Sequence, residues 1–355
     1  FIIIGIICCL HNRQAMRTLL LIPWLLKWPI VAEEAFVVLL ALGSLLAVGR
    51  KLWRFFQPNR RLKHGIERLG YHFRTKNTVH IFGLYTELPT IEPKGRFALT
   101  EEEKLIQRTL PVPEENDPHA ILVTEPDWTQ PKPHFEVQGL EYHELKALRS
   151  AGKLANRAGV RVHRTARVVS ANAVIICRQN RQLILHYRSA NSASYPLCYH
   201  TIGGGYMPPG IHAKDDLDSL ENTLAREVNE EARIKLSLEK IPQLLIMEEV
   251  ETGFIQVAFL GIDIPAAQAD HLPDNPRPIE GRPVRVPFDK LHDLLSRPDW
   301  VPTGKAAVLA WLALGAPAAG PYPRFGRNTA AGLCEEILAT SHVELTVAAM
   351  SQTGR

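Results

Sequence analysis

A short run of charged residues, from Arg226 to Glu231, constrains the fold of this chain more than any other feature. If the run is helical, at about 100° per residue, one side of the helix carries an apolar stripe of Leu217, Leu220, Leu224 and Val228. Glu227 and Glu231 lie within or beside that stripe, and Glu230 lies about a sixth of a turn further round. Burying a carboxylate is costly unless it is paired or binds a cation. The run therefore predicts a divalent-metal site.

The same residues resemble the signature of the Nudix hydrolases, Gly-x5-Glu-x7-Arg-Glu-U-x-Glu-Glu-x-Gly-U, where U is a bulky aliphatic residue. The matching positions are Arg226, Glu227, Val228, Glu230, Glu231 and Ile234. The chain departs from the pattern in three places. Asp218 stands at the first Glu, the loop after the glycines is about seven residues longer, and Arg233 replaces the closing Gly. That Gly normally supplies a left-handed turn at the helix end, and none of the three departures removes a main carboxylate.

The order of elements around the run also resembles that family. A strand, turn and strand, then a strand entering Gly203-Gly204-Gly205, precede the helix. Further predicted strands cover 243–247, 254–264 and 284–288, and predicted helices cover 289–295 and 304–314. The resemblance spans roughly 160–316. It implies an α/β fold, the Nudix αβα sandwich with a mixed sheet.

The resemblance implies hydrolysis of a diphosphate bond in a nucleoside diphosphate derivative, assisted by a divalent metal. Hard oxygen ligands suit Mg²⁺ or Mn²⁺ better than zinc. The implied metal ligands are Glu227, Glu230 and Glu231.

Other implied site residues surround those ligands. Arg226, four residues before Glu230, would orient that carboxylate. Gly204 and Gly205 would bind substrate by letting backbone amides approach phosphate closely. The sequence does not select the general base among three carboxylates that follow the next strand, namely Glu248, Glu249 and Glu251.

Each element of this interpretation has a simpler alternative. Asp218 and Glu221 also form a capping-box pattern. The three glycines could be a plain flexible turn, and a Glu-Glu pair is commonly a solvated helix face. The long loop could shape a specificity pocket or be an insertion. The conjunction of glycines, helix and flanking strands favours the Nudix interpretation.

Residues 1–56 are compositionally unlike the rest of the chain. Ala35–Gly49 contains no charge, and Thr18–Ala32 is apolar apart from Lys27. A span needs about 20 apolar residues, and aromatic residues after Gly49 suit an interfacial belt. We expect a transmembrane helical hairpin with Glu33-Glu34 at its turn. A buried amphipathic hairpin or a signal sequence is the alternative.

Basic residues flank both outer ends of this apolar block. Arg13 and Arg17 precede it, and a stretch rich in Lys and Arg follows it from Arg50 to Lys76. Positive flanks place both ends in the cytoplasm, which predicts a bacterial inner-membrane protein with its Nudix part facing the cytoplasmic nucleotides. The basic stretch favours anionic lipid over nucleic acid, because it adjoins the apolar block. No nucleic-acid partner is predicted.

The composition divides the chain into four parts. We predict a hydrophobic transmembrane region at 1–56, a basic and proline-rich connecting region at 57–159, the Nudix domain at 160–316 and a peripheral tail at 317–355. The five cysteines are odd in number and lack metal-binding spacing, which suits a reducing compartment.

A membrane hairpin ahead of a Nudix domain is also similar, in architecture alone, to the two-transmembrane NUDIX effectors of bacterial antiphage systems that respond to cyclic oligonucleotides. That similarity implies a nucleotide sensor whose hairpins assemble as a homo-oligomer and disrupt the membrane. Two classes of function therefore remain, a membrane-anchored hydrolase and a non-hydrolytic sensor. The hydrolase ranks first because no metal ligand is missing.

Overall fold

The computed structural model describes the chain in eleven segments, which are 58–76, 78–110, 120–123, 132–157, 167–192, 194–206, 219–238, 242–250, 252–273, 280–319 and 330–339. Contacts divide the chain into two units, Phe1–Arg61 and Leu62–Arg355. The predicted hairpin lies outside the described residues. Within them, no helix combines the length and the apolar character that crossing a membrane requires.

The described residues form the following helices and strands. The helices are α1 (Pro58–Thr75), α2 (Glu101–Thr109), α3 (Tyr142–Arg157), α4 (Leu220–Ala232), α5 (Ala266–Asp270), α6 (Leu291–Ser296), α7 (Pro302–Ala313) and α8 (330–339). The strands are β1 (Val79–Tyr85), β2 (Thr90–Arg96), β3 (Ala120–Val123), β4 (His134–Leu140), β5 (Arg167–Cys177), β6 (Gln182–Arg188), β7 (Tyr199–His200), β8 (Ile202–Tyr206), β9 (Gln243–Glu249), β10 (Phe254–Asp263) and β11 (Gly281–Pro287).

The strands make one mixed sheet. Its main path runs β1-β9-β10-β5-β3-β4-β2, while β6 and β8 also pair with β5, and β7 and β11 pair with β6. The β10–β5 and β2–β4 pairs are parallel, and the other pairs are antiparallel. The mixed α/β architecture expected from the sequence is therefore confirmed.

The central strands are buried on both faces, as their nearly continuous apolar sequences require. In β5, Ala173 and Ile175 belong to one core cluster, whereas Val174 and Ile176 belong to the other. The first cluster includes the apolar residues of α4, and the second includes those of α7 and α8. Helices thus cover both faces of the sheet, and α4 packs on one of them.

Two parts of the chain outside 160–316 also contribute to this structure. Strands β1–β4, within the region expected to be a connector, join the same sheet as the later strands. In the expected tail, Leu333, Cys334 and Ile337 of α8 are buried in the α7-side core. The four-part division of the chain stays a prediction.

Candidate active site

Helix α4 has clear ends that fix which residues face the sheet. Ser219 is the N-cap, and its side chain accepts a hydrogen bond from the Asn222 amide at 3.2 Å. The structure thus assigns the cap to Ser219, while Asp218, to which the capping-box alternative refers, lies outside the described residues. At the other end, Arg233 adopts the left-handed conformation with φ 56° and ψ 27°. The chain makes the turn that the family assigns to Gly, with a residue that has a Cβ.

Gly203 on β8 allows α4 to pack closely against the sheet. A Cβ at this position would lie 2.9 Å from Leu224 Cδ1 and 3.0 Å from Val228 Cγ2. Gly203 also has a φ of +79°, where side chains are disfavoured. The glycines are thus part of a strand that supports the helix, so the flexible-turn alternative is wrong. Gly204 is exposed, and Gly205 pairs with Ala171 of β5.

Glu231 is anchored to the protein through one carboxylate oxygen. Its Oε2 accepts the Gly203 amide at 2.8 Å and lies 3.3 Å from Nδ1 of His186 on β6. The side chain is 11% exposed. Burial favours a higher pKa, but the charge and hydrogen bond of His186 and the Gly203 amide outweigh it and lower the pKa of Glu231. Glu231 is therefore an anion at neutral pH.

The pKa of Glu227, one turn earlier on α4, is shifted in the opposite direction. Its side chain is 12% exposed, and burial raises its pKa from 4.5 to about 7, against the attraction of Arg226 and with added repulsion from Glu231 and Glu230. Arg226 Nη1 lies 2.5 Å from Glu227 Oε1 and 3.6 Å from Glu230 Oε2. One guanidinium thus bridges two carboxylates, whereas the sequence predicted a contact with Glu230 alone.

The donor atoms of the three glutamates suit a hard divalent cation. They project from a single turn and a half of one helix, and together they offer only oxygen donors, the ligand type of Mg²⁺ and Mn²⁺. Burial raises the pKa of Glu227, and repulsion from Glu231 and Glu230 adds to it despite the attraction of Arg226, so a further positive charge nearby would favour the Glu227 anion. A cation held by Glu227, Glu230 and Glu231 would supply the missing charge.

Among the described residues, the three side chains that are close enough together to share a metal ion lie on β2 and β4 rather than on α4. Glu92, His134 and Glu136 have ligand atoms within 4.8 Å of one another. Lys94 occupies this group, since its Nζ lies 2.6 Å from Glu92 and 3.4 Å from Glu136. An ammonium therefore already balances these carboxylates.

Two of the three base candidates are described, and they lie on opposite faces of the sheet. Glu248 follows Ile246 by two residues, so it faces the α4 side; it pairs with Arg167 at 3.0 Å. Glu249 follows Met247 by two residues on the other face, is 2% exposed and accepts a hydrogen bond from Tyr195. Glu249 is thus badly placed to act at α4. Glu251 lies outside the described residues.

Sequence reasoning missed the histidines beneath the glutamates. His186 follows Ile184 by two residues on β6, and Ile184 belongs to the α4-side core. That spacing places a histidine under the carboxylates once the strand is oriented. His200, its partner on β7, is buried with a pKa lowered to about 4, chiefly by burial and then by the charge of Arg188. His200 is therefore neutral at pH 7.

No protein-family model matches the chain, and no curated protein matches it. Among solved structures, a MutT protein from Methanosarcina mazei Go1 is 21% identical, and the match covers 41% of this chain and 94% of that one, with a TM-score of 0.30. A MutT/nudix family protein from Enterococcus faecalis is 17% identical, with 38% and 49% covered and a TM-score of 0.26.

A third solved structure is a bifunctional NMN adenylyltransferase/ADP ribose pyrophosphatase from Francisella tularensis, complexed with AMP and a Mn ion. It is 15% identical, and the match covers 35% of this chain and 36% of that one, with a TM-score of 0.24. The chain thus spans about half of the Enterococcus protein and about a third of the Francisella protein. The Methanosarcina and Enterococcus neighbours are named as MutT or MutT/nudix proteins, but with such TM-scores none of the three likenesses supports an argument about activity. The function has to be inferred from the site itself.

Proposed function

We propose that this protein is a Nudix-type pyrophosphohydrolase that cleaves a diphosphate bond in a nucleoside diphosphate derivative with Mg²⁺ or Mn²⁺. One observation carries the proposal. Arg226 contacts both Glu227 and Glu230 on α4, and Glu231 of the same helix accepts a hydrogen bond from Gly203 of the triple-glycine strand. The contact between Glu231 and Gly203 supports a site to which both the glutamates of α4 and the glycines contribute.

Each part of this site has a chemical task. A bound divalent cation neutralises phosphate oxygens and lowers the pKa of bound water. Arg226 holds Glu227 and Glu230 side by side. The exposed Gly204 leaves room for a phosphate to approach the backbone. Of the two described candidates for the general base, Glu248 is the one on this face of the sheet.

The test is a substrate panel with the full-length protein in mild detergent. Nucleoside triphosphates, dinucleoside polyphosphates and nucleoside diphosphate sugars are incubated with Mg²⁺ or with EDTA. We expect cleavage of at least one class that requires the metal. Glu230→Gln should lower the rate at least about a hundredfold, because an ion contributes several kcal/mol to the transition state.

Glu221→Gln is the matched control, because it makes the same chemical change in the first turn of the same helix. Cleavage that persists in EDTA, or that is equally fast in wild type and Glu230→Gln, would count against the proposal.

The non-hydrolytic sensor is the second class of function. The complete set of carboxylates favours hydrolysis over it, and ligand-triggered leakage of liposomes with Glu231→Gln would favour the sensor.

Membrane anchoring is a separate proposal that rests on the sequence of residues 1–56. We propose an inner-membrane protein whose Nudix part faces the cytoplasm. Alkaline extraction of membranes should leave the full chain in the pellet, and its release into the supernatant would refute the anchor without affecting the proposed hydrolysis.

A further inference from the structure

A buried histidine lies directly beneath the proposed metal site. His186 occupies the position on β6 that faces α4, and the whole residue is 4% exposed. Its Nδ1 lies 3.3 Å from Oε2 of Glu231. A carboxylate oxygen only accepts hydrogen bonds, so the proton between the two belongs to Nδ1 of the ring.

The oxygen that His186 contacts has a second donor. The Gly203 amide donates to the same Oε2 at 2.8 Å. A carboxylate has about two acceptor positions on each oxygen, so these two donors use the capacity of Oε2. Oε1 of Glu231 is then the atom that remains for a cation.

The imidazole ring of His186 also lies close to Gly281 of β11. A Cβ on Gly281 of β11 would lie 2.5 Å from His186 Nε2 and 2.3 Å from the Tyr187 carbonyl oxygen. Only glycine leaves space for the ring at this place, and Gly281 has a φ of +138°, which also favours glycine. The ring is therefore held between Glu231 on one side and the backbone of β11 on the other.

A second buried histidine provides an internal comparison. His200 is the Cα partner of His186 across the β6–β7 ladder. Its Nδ1 donates to the Thr201 carbonyl oxygen at 2.6 Å rather than to a glutamate. Both residues are thus buried histidines, but Nδ1 of His186 contacts a glutamate, whereas Nδ1 of His200 contacts a backbone carbonyl oxygen.

We infer that His186 is a positioning residue of the metal site, which fixes Glu231 through Oε2 so that Glu231 binds the cation through Oε1. This inference rests on the proposed function, because it gives His186 a task only if Glu231 is a metal ligand. Partners of this kind orient ligands and raise metal affinity, and their removal typically costs about 10–100-fold in affinity.

The experiment measures Mn²⁺ binding to the full-length protein by electron paramagnetic resonance, independently of any substrate. His186→Leu removes the donor and should weaken Mn²⁺ binding about 10–100-fold. His186→Asn keeps an N–H donor near the place of Nδ1 and should restore most of the affinity. His200→Leu is the matched control, and we expect Mn²⁺ affinity like that of wild type.

The outcomes separate this inference from the proposed function. If wild type binds Mn²⁺ and His186→Leu binds it as tightly, the positioning role is refuted while the hydrolase proposal stands. If wild type does not bind Mn²⁺, the proposed function fails and the inference fails with it. Equal losses in His186→Leu and His200→Leu would also overturn it, since they would indicate a general packing effect.

A measurement on the unmodified protein covers the case in which His186→Leu does not fold. Long-range ¹H–¹⁵N correlation of the imidazole nitrogens shows which nitrogen carries the proton. Protonated Nδ1 in His186 is the expected result. An unprotonated Nδ1 cannot donate to Glu231 and would overturn the inference.

Discussion

Replacing Glu227 with Gln should stabilise the metal-free protein and remove its response to divalent cations. The physical reason is that the folded structure disfavours the Glu227 anion. Burial, against the pull of Arg226 and with repulsion from Glu231 and Glu230, raises the pKa of this carboxyl from 4.5 to about 7. Gln fills the same volume without a charge.

The magnitude follows from the pKa. A rise from 4.5 to about 7 corresponds to about 3 kcal/mol at about 1.4 kcal/mol per pH unit. The attraction of Arg226 already contributes to this pKa, so losing the ion pair with Arg226 adds no separate cost. The net gain in the free energy of unfolding at pH 8 is then about 3 kcal/mol. That gain raises the melting temperature by about 6–12 °C.

The pH dependence has a definite sign. The folded state binds the Glu227 proton more tightly than the unfolded state does. The stability that comes from this proton is therefore complete below about pH 4.5 and is lost as the pH rises through about 7. Gln does not titrate, so the two proteins should melt alike near pH 4.5. Their melting temperatures should separate between pH 4.5 and 7.

The assay is thermal unfolding of the full chain in EDTA and in saturating Mg²⁺. Wild type should gain about 4.1 kcal/mol at a Mg²⁺ concentration a thousand times its dissociation constant, whereas Glu227→Gln should gain little. The order of the two melting temperatures should then reverse. Glu221→Gln, with the same change outside the cluster, should follow wild type in both conditions. A Glu227→Gln variant that melts below wild type in EDTA at pH 8 would refute the reasoning.

Three further predictions concern how α4 is held on the sheet. Gly203→Ala should destabilise the protein by about 1–3 kcal/mol, because a Cβ would lie 2.9 Å from Leu224 Cδ1 at a φ of +79°; an unchanged melting temperature would contradict this. Leu224→Ala, at a fully buried position, should lower the free energy of unfolding by about 2–5 kcal/mol, as measured by chemical denaturation. A decrease below about 1 kcal/mol would show that the helix is not packed as described. Arg233→Gly should stabilise by about 1 kcal/mol, since Arg233 sits in the left-handed conformation, and Mn²⁺ affinity should not change; a lower melting temperature would argue that the arginine side chain has a role of its own.

Much of the fold was predictable because its strong signals are local. Strands β5, β6, β9 and β10 are apolar runs bounded by turns, and they occur where the sequence predicted strands. By contrast, β1 and β2 have half-exposed, mixed sequences such as Thr90–Arg96, whose strand structure depends on pairing with β9 and β4. Such pairing across distant segments leaves no periodic signal.

For the site, too, only the local features on α4 were predictable from the sequence. The spacing of Glu227, Glu230 and Glu231 fixes their helix face; in the structure Arg226 contacts the first two and Gly203 contacts the third, and their shared role as metal ligands stays a prediction. What the spacing could not supply was the second partner of each carboxylate. His186 comes from a strand 45 residues before Glu231, and the bridge from Arg226 to Glu227 depends on a rotamer. Both contacts are set by tertiary packing.

The most direct test is a diffraction measurement on crystals of the full chain soaked in Mn²⁺, collected where manganese scatters anomalously. An anomalous peak within about 2.5 Å of carboxylate oxygens of Glu227, Glu230 and Glu231 is the predicted result. A peak confined to Glu92, His134 and Glu136, or no peak at α4 with the helix intact, would show that the acidic side chains of α4 do not gather there to hold a cation.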